Sequence, residues 1–303
     1  MKHLSCLLGA ALALASTAHA KLNVIATTPD FGAIAKEIGG DKIDLTTLAK
    51  PTEDPHFVDA KPSFIVKLNR ADALIEGGAE LEIGWLPPLV EGARNPKLDV
   101  GKPGRISCVK GIPLLEVPAS LDRSKGDLHS AGNPHYTTDP AIVKTVAGTI
   151  TESFCAIDPK SAEVYRANLA KFTARLDTKI AEWRKLLEPF HGRRIVTYHN
   201  SWPYFAAFYG VKMDLFLEPK PGIPPSPSHL AEVVSQMKSE GIKVIVVEPH
   251  LNHRTAETVA GHTGAVVLDF APYPGGGKNT GTDYIAWMDS LVNSLVKGFA
   301  GNK

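Results

Sequence analysis

Cysteine is scarce, with 3 in 303 residues, which excludes a disulfide-stapled miniprotein and a zinc centre built on four thiolates. Neither sign of charge predominates: Lys and Arg total 33 against 32 Asp and Glu. The strongly basic footprint expected of a nucleic-acid binder is therefore missing. Beyond residue 20 no apolar run approaches the roughly 20 residues that cross a bilayer. There is no H-E-x-x-H helix, and Gly275-Gly276-Gly277-Lys278 lacks the G-x-x-x-x-G-K-[ST] pattern, so it reads as a mobile turn rather than a phosphate loop. No Gly/Ser linker and no internal repeat divide the chain. What is present, 44% hydrophobic and 21% charged residues, is the composition of a folded globular protein long enough for two domains.

Residues 1–20 combine a basic start (Lys2, His3), an apolar run from Leu4 to Ala15 and the small-residue ending Ala18-His19-Ala20. That is the layout of a cleavable signal peptide, and the run is too short for a membrane anchor. Cys6 lies at the front of the run, misplaced for lipid attachment after cleavage, so export as a free soluble protein is expected. Lys2 is the only Lys or Arg of the leader, which also holds no acid, leaving 32 against 32. Cys108 and Cys155 remain, and in an oxidising compartment they fit either one strand-to-helix disulfide or two unrelated buried thiols.

From Lys21 the chain alternates β-rich runs (KLNVIATT, KIDLTTLA, ADALI) with helical stretches from Phe31, Pro62 and Leu86. This βαβα order predicts a parallel sheet covered by helices. Asp139-Pro140 and Asp158-Pro159 each carry an N-cap followed by Pro at the first helical position. The second starts a helix of unusual length, to Glu188, a rigid spine between two halves. A second series follows in RIVTY (194–198), KMDLFL (212–217), KVIVV (243–247) and AVVL (265–268), with a last helix over 283–299. The Pro-rich stretch Pro219 to His229 reads as an extended surface loop. The predicted fold is α/β: a signal peptide (1–20), an N-terminal lobe (21–158), a linking helix (159–188) and a C-terminal lobe (189–303), each lobe a parallel-rich sheet flanked by helices.

Nine histidines follow the leader: His56, His129, His135, His191, His199, His229, His250, His253 and His262. Most are expected to be surface or satisfied core residues. His199 directly follows RIVTY, at the carboxyl end of a parallel strand where open α/β sheets bind ligands. Asp269 likewise follows AVVL. His56 follows the turn Lys50 to Pro55, and His135 follows Gly132-Asn133-Pro134. Three imidazoles and a carboxylate at element ends form a plausible tetrahedral set, with zinc the leading ion. Glu248, after KVIVV, reads as a carboxylate orienting a metal-bound histidine. Trp202, Tyr204, Phe205, Phe208 and Tyr209, at near-helical spacing, read as core.

The segments EDPHF (53–57), GNPHYTTDP (132–140), TYHNSWPYFAAFYG (197–210), VVEPHL (246–251) and VVLDFAP (266–272) resemble, in this order, the zinc/manganese-binding solute receptors of ABC importers. The resemblance covers essentially the whole mature chain. It implies two βα lobes joined by a long rigid helix with the metal between them, and carries His56, His135, His199 and Asp269 over as ligands. It further implies a monomer in the periplasm that captures Zn2+ as transported ligand and delivers it to a membrane permease, with room for a periplasmic metallochaperone as donor. Two departures stand out. Many zinc-type members carry a long His- and acid-rich loop where the stretch from Glu116 to Gly132 holds only His129, Asp122 and Asp127. The family usually has Gln where this chain has His250, which is read as a solvated loop imidazole in preference to a fifth ligand. The competing function is a secreted zinc-dependent hydrolase, disfavoured because Asp269 would close the site and no general base is evident. A chelate or haem receptor would instead require a wide organic pocket.

Overall fold

The computed structural model describes residues 20–119 and 129–301, so the expected signal peptide up to residue 19, and Asp122 and Asp127, lie outside the described residues. The first sheet consists of β1 (Leu22–Ala26), β2 (Ile43–Thr47), β3 (Ala73–Glu76) and β4 (Arg105–Ser107) in the order β2-β1-β3-β4, and every pairing is parallel. The second repeats the plan with β5 (Arg194–Thr197), β6 (Lys212–Phe216), β7 (Val244–Val247) and β8 (Val266–Asp269), ordered β6-β5-β7-β8 and again parallel. Covered on both faces by helices, the central strands are mostly apolar, and all four residues of β7 are apolar and buried. In each sheet the order reverses beside the first strand, which opens a crevice at the carboxyl ends of β1/β3 and of β5/β7.

Local chemistry sets the helix boundaries. Helices α1 (Pro29–Gly39), α2 (Pro62–Arg70) and α4 (Pro140–Ile157) begin with Pro, and α3 (Leu86–Ala93) carries Pro87 as its second residue, in the first turn where a missing N–H costs nothing. The Asp139 carboxylate caps α4, accepting from the Ala141 N–H at 2.7 Å. The Asp158-Pro159 start behaves differently from its sequence signature. A single 3₁₀ turn, Pro159–Ser161, precedes α5 (Ala162–Leu187), and the Asp158 carboxylate accepts from the Tyr165 hydroxyl at 3.0 Å instead of capping. At about 1.5 Å per residue its 26 residues reach across both sheets, joining the lobes. Further on, α6 (Pro203–Tyr209), α7 (Pro227–Glu240) and α8 (His253–Thr263) end at Gly210, Gly241 and Gly264, all in the left-handed conformation that glycine adopts without strain. The last helix, α9 (Tyr284–Ala300), is tied to α5 by Trp183 Nε1 donating to Asp289 Oδ1 at 2.7 Å.

One apolar cluster joins the two sheets: Val24 and Ile75 of the first, Ile195 and Val246 of the second, with Tyr136, Trp183, Trp202, Phe270 and Trp287 between them. Separate clusters fill the outer layers behind each sheet. Trp202, Tyr204, Phe205 and Tyr209 are buried core residues, as expected. Cys108 and Cys155 are both free thiols: Cys108 is sealed in the core, where burial pushes its pKa well up, and Cys155 Sγ donates to the Ala162 carbonyl at 3.6 Å. No described helix is long and apolar enough to cross a membrane.

Candidate metal centre

The turn after β2 is held by its own side chains. Glu53 Oε2 accepts from the Lys50 N–H at 2.9 Å and Asp54 Oδ1 accepts from the His56 N–H at 2.9 Å, an Asx-type turn that aims the His56 ring. Trp85 Nε1 donates to the Pro55 carbonyl at 2.8 Å and so fixes the turn against the start of α3. From the second half, Gly276 approaches the same turn, and a Cβ there would stand 2.5 Å from the Pro51 carbonyl oxygen. The glycine-rich turn is thus a contact between the lobes.

His135 is positioned by Asn133. Its Oδ1 accepts from the His135 N–H at 3.0 Å, while its Nδ2 donates to Glu116 Oε2 at 3.0 Å and to the Asn200 carbonyl at 2.9 Å. The block preceding α4 is therefore bonded to the loop after β5. Tyr204 adds a second tie, its hydroxyl donating to the Asn133 carbonyl at 2.7 Å. His199 lies two residues beyond β5, its carbonyl accepting from Thr197 Oγ1 at 2.8 Å. Its Nδ1 pairs with the buried carboxylate of Glu218, which leaves Nε2 for the cavity.

The three rings converge. One nitrogen from each of His56, His135 and His199 lies within 4.8 Å of the others. Ring centroids are 5.3 Å apart for His56–His135, 6.0 Å for His56–His199 and 5.8 Å for His135–His199, with all three pairs edge-on. His56 Nε2 is buried and has no hydrogen-bond partner. An orphaned imidazole nitrogen costs about 1–3 kcal/mol, and a cation at the common focus would offset that cost.

Electrostatics divide the three. Burial, aided by the nearby His129, His199 and His250, lowers the His56 pKa to about 3. Burial and the neighbouring imidazoles push His135 well below its ordinary value. Burial also opposes charge on His199, but the hydrogen bond and charge of Glu218, helped by Glu248 and Asp54, outweigh it and hold its pKa above the usual value. Two neutral imidazoles are thus ready to donate lone pairs, and a third is held by a carboxylate as metal-bound histidines commonly are.

The fourth expected ligand stands apart. Asp269 ends β8, the edge strand two places from β5, roughly 10 Å away at the usual strand spacing. Phe270 turns into the core, so alternation sends Asp269 to the other face, where its carboxylate is 75% exposed and pairs with His253 Nδ1 at 3.4 Å. Sequence reasoning also assigned the orienting carboxylate to Glu248. That residue is wholly buried with its pKa raised to about 7 by burial, and it accepts from Trp202 Nε1 at 2.9 Å. Glu218 does the orienting instead. Its signal was available, since it follows β6 much as His199 follows β5.

Around the imidazoles lies a cavity of about 400 Å3, also lined by Asp54, Phe57, Ile83, Glu116, His129 and His250. His129 lies against His56, the ring centroids 4.9 Å apart and the planes tilted by 30°. His250, expected in solvent, is only 17% exposed and its Nε2 is 4.0 Å from Asp54 Oδ2.

Residues 24–298 match a family model described as ZnuA, the zinc-uptake complex component A, periplasmic. Similar proteins include the manganese ABC transporter substrate-binding lipoprotein PsaA of Streptococcus anginosus, 26% identical over 94% of this chain and 91% of that protein. Another is the iron ABC transporter substrate-binding lipoprotein MtsA of Streptococcus pyogenes serotype M1, 26% identical over 92% of this chain and 89% of its own length. A zinc-bound deletion mutant of ZnuA superposes with a TM-score of 0.78 at 25% identity, covering 92% of this chain and 98% of that one. FpvC of Pseudomonas aeruginosa, solved with Mn2+, shares the fold with a TM-score of 0.76 at 21% identity, covering 93% of this chain and 100% of that one.

Proposed function

The chain belongs to the ZnuA family of metal-binding, substrate-binding proteins of ABC transporters, and we propose that it captures Zn2+ between its two sheets and delivers it to a membrane permease. The family is one of receptors, not of enzymes, which removes the hydrolase reading. The observation that carries the zinc reading is the convergence of His56, His135 and His199 to within 4.8 Å. Three imidazole nitrogen donors suit zinc, whereas manganese stands lowest in the Irving–Williams order and gains least from imidazole. The manganese and iron in the names of the streptococcal relatives belong to those proteins. The signal-peptide pattern supports a periplasmic setting, and the separate outer clusters behind the two sheets support two lobes divided near residues 159 and 188; in this reading the receptor acts as a monomer.

Titration calorimetry of the mature protein and of His199→Ala tests the reading. The variant should keep its circular dichroism spectrum and lose about 100-fold or more in Zn2+ affinity, because one of three ligands and its Glu218 support are gone. Wild-type affinity in the variant would refute it.

A further inference from the structure

The three converging imidazoles leave a tetrahedral ion one position short, and Asp269, 75% exposed on His253, does not fill it. Glu218 is committed to His199, and Glu116 to Asn133 and Asn200. Glu80 accepts from the Ser130 N–H at 2.6 Å and is also bonded by the Ser130 hydroxyl. His129 lies against His56 and has interactions of its own. His250 differs from all of these. It lines the same cavity from the turn after β7, its Nδ1 is buried with no hydrogen-bond partner, and its Nε2 faces the Asp54 carboxylate. Such a histidine has much of the layout of a metal ligand: one nitrogen faces a carboxylate at 4.0 Å, and the other is buried with no hydrogen-bond partner. It shares that cavity with His56, His135 and His199.

Resting on the three-histidine reading of this site, we propose that His250 is the fourth ligand, so that the cargo ion is held by four imidazole nitrogens. His250 stands outside the 4.8 Å triangle, so binding draws the turn 248–251 toward the first lobe. Asp54 links the two sides of this movement, since one of its oxygens holds the His56 backbone and the other faces His250. An all-nitrogen set with no carboxylate raises preference for Zn2+, Co2+, Ni2+ and Cu2+ over Mn2+. His250 is then a specificity-determining residue as well as a ligand.

Zinc-edge X-ray absorption of the wild-type protein counts imidazoles directly and needs no variant. Four coordinated imidazoles are expected, and three with an oxygen ligand would overturn the proposal. His250→Ala, checked by circular dichroism, should lose about 10- to 100-fold in Zn2+ affinity, change little toward Mn2+ and alter the visible d–d bands of bound Co2+. A Zn2+ affinity within twofold of wild type and an unchanged Co2+ spectrum would also overturn it. Failure of the underlying site reading is separable, because it would appear as unimpaired zinc binding in His199→Ala.

Discussion

Zinc and protons compete for the same nitrogens, and the structure changes how many protons take part. Three imidazoles at their ordinary pKa of about 6.5 would each lose roughly tenfold in availability between pH 7.5 and 5.5, about 1,000-fold in total. Here His56 is lowered to about 3 and His135 well below its ordinary value, both chiefly by burial, so neither is protonated at pH 5.5. Only His199, raised because Glu218 outweighs its burial, must release a proton to bind metal. A single group of pKa above 6.5 costs between about 10- and 100-fold over the same two units, and about one proton leaves per zinc bound. Competition titration at pH 7.5, 6.5 and 5.5, repeated in buffers of different ionisation enthalpy to count protons, measures both quantities. A loss near 1,000-fold with about three protons released would show that the three rings titrate independently and would refute the electrostatic account.

Glu218→Gln keeps the shape but removes the charge that fixes the His199 tautomer, and Zn2+ affinity should fall about 10- to 100-fold by calorimetry. Asp269→Ala should leave Zn2+ affinity within about threefold of wild type, since its carboxylate faces His253. Asn133→Ala removes the bonds joining the His135 block to Glu116 and Asn200, and urea unfolding of the metal-free protein should show a loss of about 2 kcal/mol.

The elements were legible in the sequence because apolar runs and Pro or Gly punctuation determine them locally. KVIVV could only be a strand buried on both faces, and the chain placed Gly210, Gly241 and Gly264 where helices had to stop. Of the three histidines, His199 was legible because it sits two residues beyond β5, and His56 and His135 because each directly follows a proline in a turn. Side-chain direction was not. Whether Asp269 points to the crevice or away depends on strand alternation and on β8 being the edge strand, facts that only the assembled sheet supplies. The choice of Glu218 over Glu248 as the partner of His199 depends in the same way on β6, not β7, presenting its carboxylate to His199. His250 appeared solvated because sequence does not show that its turn closes onto Asp54 from the opposite lobe.

The most direct test of the central claim is a crystal structure of the zinc-loaded protein with anomalous differences recorded at the zinc edge. A single peak about 2.0–2.1 Å from one nitrogen each of His56, His135 and His199 is expected. A peak elsewhere, or one that touches fewer than three of these imidazoles, would contradict it.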